Sequence, residues 1–179
     1  MVEMVRAKAA GGGFGQLTAI VSRAEELEAP TGAFELVTIG NAFHRLRRER
    51  VAANLVRWLR PDGFAALVWS ASPWGGEEEW QRTLAELIET WRIRAGAQAR
   101  VPRGWDRARR ERPDRAVLTD AGLEEVGTYR FPTAHSWTIG ALTGFVYSTS
   151  ALPRVVLGDQ LPAFERELRE ALAPHAPTN

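Results

Sequence analysis

The residues best placed to do chemistry follow one apolar run. Asn41-Ala42-Phe43-His44 stands directly after Phe34-Glu35-Leu36-Val37-Thr38-Ile39-Gly40, a β-branched stretch that ends at glycine and reads as a strand. Ligands of open parallel sheets bind outside the carboxyl ends of the strands. A histidine at such an end is therefore a candidate general base or substrate-orienting group, and the same position equally suits a structural or solvated histidine. Trp69-Ser70-Ala71-Ser72-Pro73-Trp74 closes the next apolar run, Phe64–Trp69, and its tryptophans either line a pocket or cover the sheet edge. The other two histidines, His135 and His175, have neither the spacing nor the neighbouring acid of a zinc site.

A second pattern, Gly11-Gly12-Gly13-Phe14-Gly15, has the look of a nucleotide loop. That chemistry needs a strand before the glycines and a helix after them, so that the helix N-terminus faces the ligand. Here Val2–Ala10 reads as a short helix, and the apolar Leu17-Thr18-Ala19-Ile20-Val21, read as a buried strand, comes after the glycines. The glycines are accordingly read as a helix stop. No G-x-S-x-G elbow is present, which leaves a hydrolase of that type without support. The absence of cysteine removes disulfides, thiolate metal sites and cysteine nucleophiles, and is compatible with a cytoplasmic location.

The elements that must position His44 follow from periodicity. One helical turn is read at Ala24–Leu27, and a helix at Arg48–Leu59 from Val51, Leu55, Val56 and Leu59. Pro61-Asp62-Gly63 breaks that helix before Phe64–Trp69. Strand, helix, turn and strand make a βαβ unit, and strands without polar alternation predict a parallel sheet buried on both faces. Glu77–Ile93, Ile139–Ser148 and Leu161–Ala173 read as further helices. The Arg-rich stretch Arg100–Arg115 reads as a mobile loop or short lid helix, and Thr119-Asp120-Ala121-Gly122 as a capped turn into a strand at Leu123–Phe131.

The 179 residues suit one domain, with 45% hydrophobic and 25% charged residues close to globular averages. No apolar run approaches the roughly 20 residues that span a bilayer, and Glu3 with Arg6 in the first residues speaks against a secretory signal, so no membrane partner is expected. Arginines crowd at Arg45–Arg60 and Arg92–Arg115, yet 23 basic residues face 22 acidic ones. Without a positive excess, nucleic acid is not an expected partner.

Phe34-Glu35-Leu36-Val37 with Ala42-Phe43-His44, then Leu59-Arg60-Pro61-Asp62-Gly63, resembles the fourth-strand and fifth-strand block of class I S-adenosylmethionine-dependent methyltransferases, in particular the small-molecule, ubiquinone-biosynthesis-like branch. Val21–Leu27 resembles the segment that lies against the adenine, and Trp137–Ser150 a C-terminal segment of that branch. The resemblance implies an α/β, Rossmann-like fold with a mostly parallel sheet and flanking helices. Its single partial domain over residues 1–179 would comprise a cofactor-side βαβ core at 1–70 and acceptor-side helices and strand at 71–179. It also implies S-adenosylmethionine as cofactor and a small-molecule methyl acceptor. His44 is then the catalytic candidate; Gly40, Asn41 and Phe43 pack near the methionine portion, and Arg23, Ala24 and Glu25 near the adenine. No metal is implied. Arg100–Arg115 and Phe145–Ser150 would shape the acceptor site.

The departures carry their own expectation. The family's first strand with its glycine loop, and the second strand with its ribose-binding acid, find no counterpart; Glu35, Asp62 and Arg23 stand where the family favours Asp, Gly and Asp. A truncated fold with impaired or absent activity is expected, the alternative being a non-catalytic pseudo-methyltransferase or interaction subunit. Leu17–Val21 and Phe34–Gly40 would either pair directly or leave apolar edges, and such an edge recruits another chain, a second copy among them.

Overall fold

A computed structural model describes residues 2–100 and 109–175, which fall into two compact units: Met1–Val68 with Asp114–Glu125, and Trp69–Pro113 with Val126–Asn179. Half of the expected Arg-rich lid, residues 101–108, thus lies outside the described residues.

In the first unit, helix α1 (Val2–Gly11) ends as its glycines require: the Gly12 and Phe14 amides donate to Lys8 and Ala9 carbonyls, and Gly13 takes φ 73°. Strand β1 (Phe34–Gly40) leads through a 3₁₀ turn at Phe43–Arg45 into helix α2 (Arg48–Trp58), and strand β2 (Leu59–Val68) returns parallel to β1. This is the expected βαβ unit. Val37 pairs with Ala65 and Ile39 with Leu67, and these four side chains pack against the buried stripe of α2: Val51, Ala52, Leu55 and Trp58. The register slips once, between Phe34 and Leu36, opposite the Pro61-Asp62-Gly63 turn. Asp62 there has φ 63°, and a Cβ on Gly63 would stand 3.0 Å from the Phe34 carbonyl oxygen, so the turn demands glycine.

Three expectations are corrected. Among the described residues of the first unit the sheet is covered on one face, and Leu36, Phe64 and Val68 on the other are 55%, 54% and 54% exposed. Leu17–Val21 forms no strand and does not pair with β1; Leu17, Ile20 and Val21 are exposed. Apolar content favours a strand only where a ladder partner satisfies its backbone groups, and among the described residues β1 and β2 pair solely with each other. Residues 123–131 are likewise irregular, with Val126, Tyr129 and Phe131 exposed. The turn before them is the C-terminal end of helix α4 (Asp114–Asp120), where Gly122 takes φ 102° and its amide donates to the Thr119 carbonyl. Helix α4 closes the first core by seating Val117 among Phe43, Leu55 and Trp58.

The second unit is helical. Helix α3 (Glu79–Arg94) starts with a capping box in which Glu78 and Gln81 satisfy each other's amides. Its Leu84, Ile88 and Trp91 meet Phe164, Leu168 and Leu172 of helix α7 (Leu161–Leu172), both sets at helical spacing. Helix α5 (Ile139–Ser148), capped by the Thr138 hydroxyl on the Ala141 amide, adds Leu142 and Val146, and the short α6 (Arg154–Leu157) adds Leu157. Trp74 sits against this core with its ring edge-on to Phe145, centroids 5.7 Å apart. Trp69 remains partly exposed under the Arg109 guanidinium, 4.3 Å from its ring centroid. Among the described residues no helix is long and apolar enough to cross a membrane.

Candidate functional site

The end of β1 is built as a switch from extended to helical backbone. The ladder runs one step beyond the strand, the Asn41 amide donating to the Val68 carbonyl across 2.9 Å. Asn41 then takes φ 47°, a left-handed conformation that asparagine tolerates better than most side chains. That reversal starts the 3₁₀ turn, in which Arg45 and Leu46 amides return to the Ala42 and Phe43 carbonyls. Phe43, fully buried, is the bolt of the turn, held among Val51, Leu55 and Val117. Gly40 is open above its Cα, with nothing within 4 Å of where a Cβ would stand.

His44 is half-buried on this turn. Its Nε2 accepts from the Arg45 Nε at 3.3 Å, and its Nδ1 is shielded from solvent. An Nε2 that accepts leaves the proton of a neutral imidazole on Nδ1. Proton abstraction by Nε2 from any bound molecule requires Arg45 to swing aside.

The other predicted residues gather at the start of α2. Helix α2 has no side-chain cap of its own; Glu25 supplies one from a distance, its Oε1 accepting from the amide of the N-cap residue Arg47 at 2.8 Å. That bond holds the Glu25 carboxyl below its ordinary pKa, with its own backbone amide and the nearby Arg47 and Arg23 charges acting in the same direction. The Glu25 carbonyl also accepts from Arg50 Nε at 3.1 Å. Ala24 packs on the first core, while Arg23 points to solvent near Glu26 at 3.9 Å. The structure thus brings Glu25, His44 and the first turn of α2 into one neighbourhood and commits each to protein contacts.

Sequence reasoning missed a buried ion pair in the same unit. Arg48, in the first turn of α2, donates from Nη1 to Asp114 Oδ1 at 2.9 Å, with both side chains largely buried. The sequence places Asp114 within the Arg-rich stretch Arg100–Arg115. The available signal was Pro113-Asp114 ahead of Ala116-Val117-Leu118, a helix start with an acid in its first turn.

One comparison bears on identity. Residues 1–67 match the methyltransferase domain family. The matched span is 67 of 179 residues and ends one residue before β2 does, so it covers the contiguous part of the first unit. The match is of this segment alone, and the parallel β1–β2 pair with its helices is compatible with a truncated Rossmann-like fold. The chain matches no curated protein and no solved structure.

The described residues do not fit the whole cofactor. Binding the adenosyl group in this fold class calls for a glycine turn between a strand and a helix and a carboxylate for the ribose hydroxyls. Here Gly12 and Gly13 follow a helix, and the Glu25 carboxylate is bound to a backbone amide. Phe43 presents no surface to a ligand. Gly40 and Asn41 are exposed at the strand end. Among the described residues no group of three or more histidines and acids stands close enough to hold a metal ion.

Proposed function

We propose that the chain is a member of the small-molecule, ubiquinone-biosynthesis-like branch of the methyltransferases whose cofactor binding is impaired in these 179 residues. The observation that carries the reading is the commitment of the Glu25 carboxylate to the Arg47 amide, in a segment matched by the methyltransferase domain family. A hydrogen bond to a charged or buried group is worth about 1.5–3 kcal/mol, and each 1.4 kcal/mol is tenfold in affinity. Without a glycine turn and a ribose carboxylate among the described residues, binding by these residues is expected to be weaker by orders of magnitude. His44 is the residue positioned to act on an acceptor once Arg45 moves. A cytoplasmic location is part of the same reading.

Isothermal titration with S-adenosylhomocysteine tests this. The expected dissociation constant is millimolar or weaker; a stoichiometric, low-micromolar complex overturns the proposal.

A second reading, a non-catalytic interaction subunit, draws on the exposed apolar sheet face at Leu36, Phe64 and Val68. Large exposed apolar patches on folded chains mark interaction surfaces. Methyl transfer to any acceptor by the purified chain, at a rate that falls in His44→Ala, would exclude this reading.

A further inference from the structure

An unpaired strand edge is a row of free N–H and C=O groups, a ready template for another strand. Strand β1 has β2 on one side, and among the described residues nothing pairs with its other side. We propose that this free edge of β1 binds the same edge of a second copy of the chain. The two strands run antiparallel about a two-fold axis at Val37 and join the two sheets into one of four strands. The contact lies in the first unit alone, and it holds whether or not the chain transfers methyl groups.

The ladder shows which groups are free. The Asn41 amide donates to the Val68 carbonyl, so it points toward β2. Backbone groups alternate sides along a strand, which turns those of Val37 and Ile39 toward β2 and those of Leu36, Thr38 and Gly40 outward. Folded chains protect such edges with proline, charge or a bulge. Strand β2 has all three, in Pro61, Asp62 and the register slip beside them. Strand β1 has no proline, and Glu35 is its one charged residue.

The occupant is a second copy because β1 is complementary to itself. With Val37 on the axis, Leu36 stands opposite Thr38 of the other copy, and Thr38 opposite its Leu36. Each of these outward-facing pairs exchanges two hydrogen bonds, as the antiparallel pattern requires. Glu35 falls opposite Ile39. At about 3.4 Å per residue the two Glu35 positions stand about 14 Å apart, beyond the Debye length of about 10 Å at 0.1 M salt. Each Glu35 is also paired with Arg60. A two-fold axis perpendicular to the sheet keeps each face on its own side, so Leu36, Phe64 and Val68 of both copies form one wider apolar face. A strand-edge contact belongs with interfaces under about 1,200 Å², which sets a micromolar expectation for its dissociation constant.

The test is sedimentation velocity of the full chain across the micromolar range, joined to disulfide trapping. The expected result is a reversible monomer–dimer equilibrium with a micromolar dissociation constant. Thr38→Pro removes an outward N–H and leaves the β1–β2 ladder its bonds, so it should weaken the dimer at least tenfold with an unchanged circular dichroism spectrum. Phe64→Ser, on the open sheet face, should leave the dimer as it is. The chain has no cysteine, so Leu36→Cys and Thr38→Cys each carry a single thiol. A hydrogen-bonded antiparallel pair holds its Cα atoms about 5.5 Å apart, within the range a disulfide spans. Under oxidant, a mixture of the two cysteine variants should therefore trap covalent dimer faster than either variant alone. That comparison carries the test should Thr38→Pro fail to fold. A monomer throughout the range, a dimer that survives in folded Thr38→Pro, a dimer lost in folded Phe64→Ser, or trapping no faster in the mixture would each overturn the assignment.

Discussion

Arg48 and Asp114, 66 positions apart in the chain, form an ion pair of 2.9 Å with side chains only 14% and 9% exposed. The pair joins the first turn of α2 to the first residue of α4, and so brackets the core cluster of Phe43, Leu55 and Val117. Breaking a buried pair by removing one member costs about 3–5 kcal/mol, whereas replacing both by apolar groups is often neutral or better. Asp114→Ala is therefore expected to lower the denaturant midpoint strongly, and Arg48→Met combined with Asp114→Leu to restore most of it. Chemical denaturation of the three chains checks the prediction. An equal loss in the single and double variants would show that the charges stabilise the pair beyond its desolvation cost.

Glu25 makes the acid stability of the first unit depend on one carboxylate. The Arg47 amide lowers its pKa in the folded chain below the ordinary 4.5. A depressed carboxylate contributes stability that is fully present above its unfolded value and lost as pH falls through the folded one. Thermal melts of the chain should fall more steeply below about pH 4.5 than melts of Glu25→Gln. Superimposable pH profiles would remove Glu25 as the cap of α2.

The Arg45–His44 contact dictates a tautomer. With Nε2 accepting from Arg45 Nε, neutral His44 carries its proton on Nδ1. Long-range proton–nitrogen correlation spectra above pH 8 should show the Nδ1–H form for His44 and a mixture in Arg45→Ala. An Nε2–H signal in the unmodified chain contradicts the hydrogen bond.

Tyr147 on α5 donates to Glu165 Oε1 of α7 at 2.8 Å while the Arg154 guanidinium lies 4.9 Å from its ring centroid. Burial first, then the Glu165 hydrogen bond and charge, pushes the phenol well above its ordinary 10, against the opposing pull of Arg154. A raised phenol stabilises the fold below the unfolded pKa and ceases to do so as pH climbs through the folded one. Ultraviolet difference titration should show the tyrosinate signal removed by Tyr147→Phe appearing above pH 10. Loss of alkaline stability should be blunted in that variant. A Tyr147 signal that is complete near pH 10 refutes the coupling.

Local chemistry was enough to specify β1, α2, α3, α5 and α7, and the glycine stop of α1. Each rests on information held within a few turns of chain: the spacing of Val51, Leu55 and Trp58, the β-branched run Leu36–Ile39, or the left-handed freedom of Gly13. The parallel pairing of β1 and β2 was also legible, because a helix between two apolar runs allows little else. Tertiary structure decided the rest. Whether Leu17–Val21 becomes a strand depends on a neighbour to accept its backbone hydrogen bonds, and apolar content carries no record of that neighbour. Which face of the sheet is covered depends on where α2 and α4 pack. The roles of Glu25, His44 and Asp114 depend on partners that the fold delivers: the Arg47 amide, the Arg45 guanidinium and the Arg48 guanidinium. Residue type sets what a side chain is able to bind, and only the folded chain sets whether that capacity is still open to a ligand.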